Sequence, residues 1–264
     1  MVRDCVITIP SWFTYDQRLM IKDAAELADL RVLHLVHENT AAAVMYGIDT
    51  KITEGQKKTV MFYNMGFMDT EVTIAQYSLL NVSKSKTSPY IEILSEASDP
   101  NLGVGDLISS LVTIQEQTFN AMKERQGKAN VMDNVRAVGR LKKEATKIIE
   151  VLSANQFANI KVPELMDYDT LQFNLPREEF EANNKAFFDR VMGPVNSALE
   201  QAGLTMKDID DVELLGGGIR IPKVMEILKK EMDKELSVHL NGDEAMCFGS
   251  AFIASNSSAD FKVK

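Results

Sequence analysis

Short apolar runs alternate with amphipathic stretches along the chain, and the two periods locate most of its elements. Residues 5–9 (CVITI) are an unbroken apolar run ended by Pro10, which predicts a strand. Thr14 and Gln17 make a T-x-x-Q capping box, after which Met20, Ala24, Leu27 and Ala28 recur at helical spacing. Residues 31–36 predict a second strand, and residues 40–45 begin another helix. A strand–helix–strand unit implies parallel pairing. Parallel sheets are covered on both faces, so the first strand is expected to have neighbours that this chain does not supply. On that ground Met1 is expected to be a cut edge rather than a native start.

A polar linker over residues 49–58 leads to strands predicted at 59–63, 71–77 and 90–94. Val72 and Ile74 fall on one face and Ile91 and Ile93 on another, and the short turns predict an antiparallel meander. Residues 106–201 are expected to be mostly helical. Val138, Leu141, Ala145, Ile148 and Leu152 step by three and four as one apolar stripe. Gly193-Pro194 should break the helix that holds Phe187, Phe188 and Val191. The chain then returns to strand (212–215), glycine turn, and a helix with Pro222 in its first turn. No repeat of solenoid period is visible.

Composition narrows the function classes. The 264 residues suffice for one large domain or two lobes. With 29 basic against 38 acidic residues the net charge is −9, which disfavours nucleic acid and anionic membrane as partners. No apolar run is long enough to span a bilayer, and the first residues lack a signal-peptide layout. Cys5 and Cys247 form no CxxC, and His34, His37 and His239 are too scattered to indicate zinc.

Four stretches come up as candidate chemistry. Gly216, Gly217 and Gly218, between strand and helix, permit positive φ and close approach of a ligand, and Arg220 is placed to stack on a base or pair with phosphate. A plain tight turn explains the same glycines equally well. Glu38 opens ENTAAA at a strand–helix junction, where an acid orients a water or a metal shell, or simply complements a helix dipole. Asp243 and Glu244 read first as a helix N-cap, and DPNLGVGD (99–106) reads as a loop.

The motifs together resemble a known family. VITIPSWFTYDQRLMIKDAAELADLRVLHLVHENTAAAVMYG is similar to a signature stretch of the heat-shock protein 70 superfamily, in which an ITVP strand, an F-x-x-x-Q-R helix start and an N-E-P-T-A-A-A turn follow in this order. LLGGGIRIPKV resembles its V-G-G-S-T-R-I-P-K-V motif, and NGDEAMCFGSAFIAS its N-P-D-E-A segment. YNMG, VLSAN, N-x-D-E-A and the closing FKVK are most similar to its large endoplasmic-reticulum branch, the 170-kDa glucose-regulated or hypoxia up-regulated chaperones.

The resemblance implies an α/β, actin-like ATPase (ribonuclease H-like) fold, here partial. Residues 1–52 would be the remainder of the first lobe and 53–105 the first part of the second-lobe sheet. Residues 106–201 would be a mainly helical subdomain, and 202–264 the rest of the second lobe with the adenosine turn. The family's first phosphate loop and its water-positioning lysine would precede Cys5. By resemblance, Gly66, Ser153, Gly216, Gly217, Gly218, Arg220 and Asp243 are nucleotide-binding, Glu38 belongs to the metal shell, and Pro10 and Arg18 form a hinge relay. No residue is assigned as a direct metal ligand.

The departures fall on the phosphate loop. Asn64 stands where the family has an aspartate, and an amide lacks the charge a hard cation's hydration shell prefers. Phe67 and Met68 replace glycines whose N–H groups wrap a phosphate, and Asp69 replaces a threonine. On the adenosine side Thr146, Ile149 and Glu150 replace a glutamate, a lysine and an arginine. The expectation is weak ATP/ADP binding with Mg²⁺, no hydrolysis, and no catalytic residue in this chain. The reading is part of a chaperone and nucleotide-exchange factor of the endoplasmic reticulum lumen, with unfolded clients and a conventional heat-shock 70-type chaperone as partners. A cytoplasmic location, an ATP-hydrolysing chaperone and a non-catalytic interaction module that binds no nucleotide stay open as alternatives.

Overall fold

The computed structural model describes residues 3–83 and 86–257. Met1 and the FKVK segment at residues 261–264 lie outside them. The chain begins with β1 (Asp4–Ile9), α1 (Tyr15–Leu27), β2 (Arg31–His37) and α2 (Glu38–Asp49). β1 and β2 pair in parallel as expected. The capping box of α1 is formed in both directions, Gln17 N–H to Thr14 Oγ1 and Thr14 N–H to Gln17 Oε1. α2 starts two residues before the predicted helix, so Glu38 is its first residue.

The main sheet holds β3 (Lys58–Met65), β4 (Thr70–Ser83) and β5 (Lys86–Asp99) as the predicted meander, each longer than its apolar run. β8 (Asp211–Leu215) and β9 (Leu236–Ser237) add on the far side in the order β5-β4-β3-β8-β9. β3 pairs with β4 antiparallel and with β8 parallel, so the sheet is mixed. Its two faces bury different cores. Val72 and Ile74 join the larger one, against the helices that follow. Ile91 and Ile93 pack on the smaller one, with Ala42, Ala43, Tyr46 and Leu215.

After β5 come α3 (Val104–Asn120), α4 (Val135–Ala154), β6 (Phe157–Met166) and β7 (Asp169–Pro176). Residues 106–201 are mostly helical as expected, and the β6–β7 hairpin is an unpredicted interruption of that segment. Ala158, Ile160 and Val162 alternate with exposed residues, and this inward face packs into the larger core beside α4. Along α4 the stripe holds at Leu141, Ala145, Ile148 and Leu152, with Ala137 rather than Val138 as its first buried member. α5 (Arg177–Asn183) and α6 (Lys185–Phe188) follow. The predicted break at Gly193-Pro194 starts α7 (Gly193–Ala202), with Pro194 in its first turn.

α8 (Pro222–Met232) follows β8 after one 3₁₀ turn, Gly217–Arg220, and α9 (Ala245–Asn256) ends the described chain. α9 returns to α2 and β1. Ala41, Ala42 and Ala43 are fully buried, and a Cβ on Gly249 would overlap the Ala41 carbonyl, so the two helices meet backbone to backbone. No helix among the described residues is long and apolar enough to cross a membrane.

Candidate functional site

The site is built at one end of the main sheet. β3 and β8 run parallel in register, Asn64 opposite Leu215, so both strands release their turns on the same side. Loops at the carboxyl ends of parallel strands are where α/β sheets bind ligands. Gly216 has φ +81° and ψ 162°, a conformation open almost only to glycine. A Cβ there would also overlap the Met65 carbonyl and lie 2.7 Å from Asn64 Oδ1. Gly218 is buried under the Met65 side chain, whereas Gly217 faces open space. The turn is thus pressed against β3 at two glycines and offers the third.

The loop after β3 is tied down by its own backbone. Gly66 N–H donates to Asp69 O at 2.9 Å. The first amides of α3 are spent on the same loop, Val104 N–H to Gly66 O (3.1 Å) and Gly105 N–H to Phe67 O (2.8 Å). The Phe67 ring lies over Gly105, where a Cβ would sit 3.0 Å from it, and both Phe67 and Met68 remain largely exposed.

Carboxylates crowd the other side of this loop. Glu38 accepts from Asn64 Nδ2 at 3.3 Å. Burial raises the Glu38 pKa, and the charge of Asp69 adds to the rise. Asp69 is held by Trp12 Nε1 at 2.6 Å. Glu71, 1% exposed, accepts from Ser11 N–H (2.6 Å) and Ser11 Oγ (2.8 Å) through Oε1, while its Oε2 is buried without a hydrogen-bond partner. Burial pushes the Glu71 carboxyl up to about 7, Ser11 opposing and Asp69 and Glu38 reinforcing. Trp12 and Glu71 were absent from the sequence reading. The signal available was the single tryptophan of the chain, two residues after Pro10.

A cleft of about 540 Å³ opens between this loop, α3, α4 and the glycine turn. It brings together Gly66, Phe67, Ser153, Gly217 and Arg220 from the sequence reading, with Thr146, Ile149 and Glu150 on the α4 side. Ile108 and Ile221 complete its apolar wall and were not anticipated. Ser153 Oγ donates to Ile149 O at 2.8 Å, leaving its oxygen as an acceptor. Gly216 and Gly218 stand behind the turn and do not line the cleft. Met68 lines a neighbouring groove of about 650 Å³, with Phe67 common to both.

Asp243 does not line the cleft, and of the two acids read as a helix N-cap only Glu244 takes that position. The N-cap of α9 is Glu244, whose side chain caps nothing. Asn241 organises the turn instead, accepting from Asp243 N–H at 3.1 Å and donating to Glu244 at 2.9 Å. That segment is anchored by Glu213, a fully buried acid of β8 that accepts from Leu240 N–H at 2.7 Å.

Pro10 and Arg18 lie beyond the carboxylates. Arg18 donates to Phe13 O (2.9 Å) and Ser11 O (3.1 Å) and meets His37 Nε2 at 3.0 Å. Since Arg18 only donates, His37 accepts at Nε2 and its Nδ1–H faces Glu96 at 2.8 Å. Arg18 therefore connects the loop after Pro10 to β2 and, through His37, to β5.

Comparison with known proteins gives this arrangement a family. The family model described as Hsp70 protein matches residues 1–264. Hypoxia up-regulated protein 1 of Danio rerio is 38% identical over 265 residues, covering 100% of this chain and 27% of that protein. The proteins of the same name from Rattus norvegicus and Homo sapiens are 36% and 35% identical, each with 100% of this chain and 26% of theirs covered. The chain thus spans about a quarter of the length of these curated relatives.

Proposed function

The chain belongs to the Hsp70 family, with its actin-like α/β fold, and from that premise we propose that it is part of the nucleotide-binding domain of a chaperone of the hypoxia up-regulated type. In this reading it keeps weak purine-nucleotide binding and has lost hydrolysis. Its organisation follows the family: residues 1–52 in the first lobe, 53–105 and 202–264 in the second, and 106–201 as the subdomain between them.

One observation carries the reading. The glycine turn and Arg220 face a formed cleft, while the phosphate loop beside it is filled with side chains and acids. Gly217, Arg220 and Ser153 fit the sugar and base of a nucleotide. The set around Asn64 does not fit Mg²⁺ and its shell: the amide supplies no charge, Asp69 is engaged by Trp12, and Glu71 is drawn toward its neutral form. Among the described residues no three of His, Cys, Asp and Glu are arranged to hold an ion. Removing one preorganised charge-stabilising group costs on the order of 100- to 1000-fold in rate, and several are altered here.

In the longer protein the proposed role is to hold unfolded clients and to act as exchange factor for a conventional heat-shock 70-type chaperone of the endoplasmic reticulum lumen. The resemblance of YNMG and VLSAN to that branch supports this. A second reading, an interaction module without nucleotide, draws on the exposure of Phe67 and Met68, at 59% and 66%. Phosphate release from MgATP should stay at the buffer rate, and turnover above it would refute the loss of hydrolysis. Calorimetry with adenosine, ADP and ATP separates the readings: heat of binding with any of them supports the nucleotide domain, and silence with all three to millimolar ligand supports the module.

A further inference from the structure

We propose that the 540 Å³ cleft selects an uncharged purine nucleoside over its phosphorylated forms. This rests on the reading of the cleft as the sugar-and-base end of a nucleotide site. Its charged lining is one cation and one anion, Arg220 and Glu150, and the rest is apolar or hydroxyl-bearing. A guanidinium stacks on a flat heteroaromatic ring, and a carboxylate accepts from sugar hydroxyls or an exocyclic amine. Both pairings suit a neutral ligand.

The same geometry opposes phosphates on three independent grounds. First, anions are held by free backbone N–H groups. Here the amides of Gly66, Val104 and Gly105 are already bonded within the loop and its junction with α3. Second, the Phe67 ring occupies the loop position where a phosphate would need bare backbone, and it forms a wall of the cleft. Third, one acid lies directly behind Gly66 of the cleft lining, and a second lies one side chain further, beyond the Asn64 that backs Gly216. Asp69 Oδ1 is 3.4 Å from the Cβ position of Gly66, and the side chain of Asn64, which meets Gly216, bonds Glu38. Each phosphate added to the ligand brings negative charge toward Asp69 and Glu38, with only Arg220 in the cleft to offset it.

The test is calorimetric titration of the 264-residue chain with adenosine, AMP, ADP and ATP, each with and without Mg²⁺. Adenosine should bind tightest, with affinity falling about tenfold for each of the first two phosphates, a modest Coulomb penalty at partly solvated distances. The double variant Phe67→Gly/Asp69→Thr should narrow or reverse the order, read as the ratio of ATP to adenosine affinity within the same variant. ATP binding as tightly as adenosine would overturn the selectivity and leave the nucleotide-site reading standing. Silence with all four ligands would overturn both, and an unchanged order in a folded double variant would overturn the assignment to this loop.

Discussion

Glu71 keeps one oxygen on Ser11 and leaves the other buried without a partner, so its ionisation is costly in the folded chain. Its folded pKa of about 7 lies above the ordinary 4.5 of a glutamate, so folding takes up a proton between those values. The stability this gives is whole below the unfolded value and is lost as the pH rises through about 7. The shift corresponds to at most about 3 kcal/mol. Urea unfolding at pH 5 and pH 8 should show that loss. Glu71→Gln, which keeps an acceptor for Ser11, should remove most of it, and an undiminished loss in the variant would place its source elsewhere. At this scale the sequence made the changed loop legible, because Asn64, Phe67, Met68 and Asp69 stand out against a glycine-rich pattern. It did not reveal Trp12 or Glu71. Their roles arise from a contact across some sixty positions of chain (Trp12 to Asp69, Ser11 to Glu71), which no local spacing encodes.

The glycine turn makes a sharp prediction at the level of one element. Gly216→Ala must place a side chain in a backbone region reserved for glycine and into the Met65 carbonyl, and it should lose about 3 kcal/mol or more. Gly217→Ala meets nothing within 4 Å and should stay within about 0.5 kcal/mol of the parent. Thermal unfolding of the pair checks this, and equal losses would show that the turn tolerates a different conformation. Elsewhere the periodic segments were legible by their patterns: α4 because one face is buried as a stripe, and β4 and β5 by apolar alternation within a sheet covered on both faces. The β6–β7 hairpin was not. Its inward residues Ala158, Ile160 and Val162 do alternate, but they sit among polar residues between two long helical patterns. Three non-glycine residues at or beside its tip, Glu164, Asp167 and Tyr168, take positive φ that no glycine announces. Their conformation is held from outside, by Arg140 on the Glu164 carbonyl and by Arg125 on Asp167 at 2.6 Å.

Across the whole molecule, pairing of β3 with β8 and of α2 with α9 sets the architecture, and both join segments far apart in sequence. The motifs showed that these segments belong together, through resemblance to a family; their hydrophobic periods alone gave no partner. A chain ending before Ala245 should therefore fail in one part only. Amide exchange should quicken across residues 4–49, where Ala41 loses its cover, and stay slow in β3, β4 and β8. Unchanged protection of α2 would show that α9 is dispensable to it.

The lateness of α9 has a bearing on how the protein is made. α2 leaves the ribosome roughly 200 residues ahead of the helix that covers it, which at about 5–20 residues per second is a wait of about 10–40 s. Through that interval Ala42 and Ala43 have the β3–β5 sheet to pack on, while the Ala41 side of the helix stands without its partner. A member of the Hsp70 family thus passes through a stage of its own synthesis in which one of its helices is exposed as in an unfinished fold.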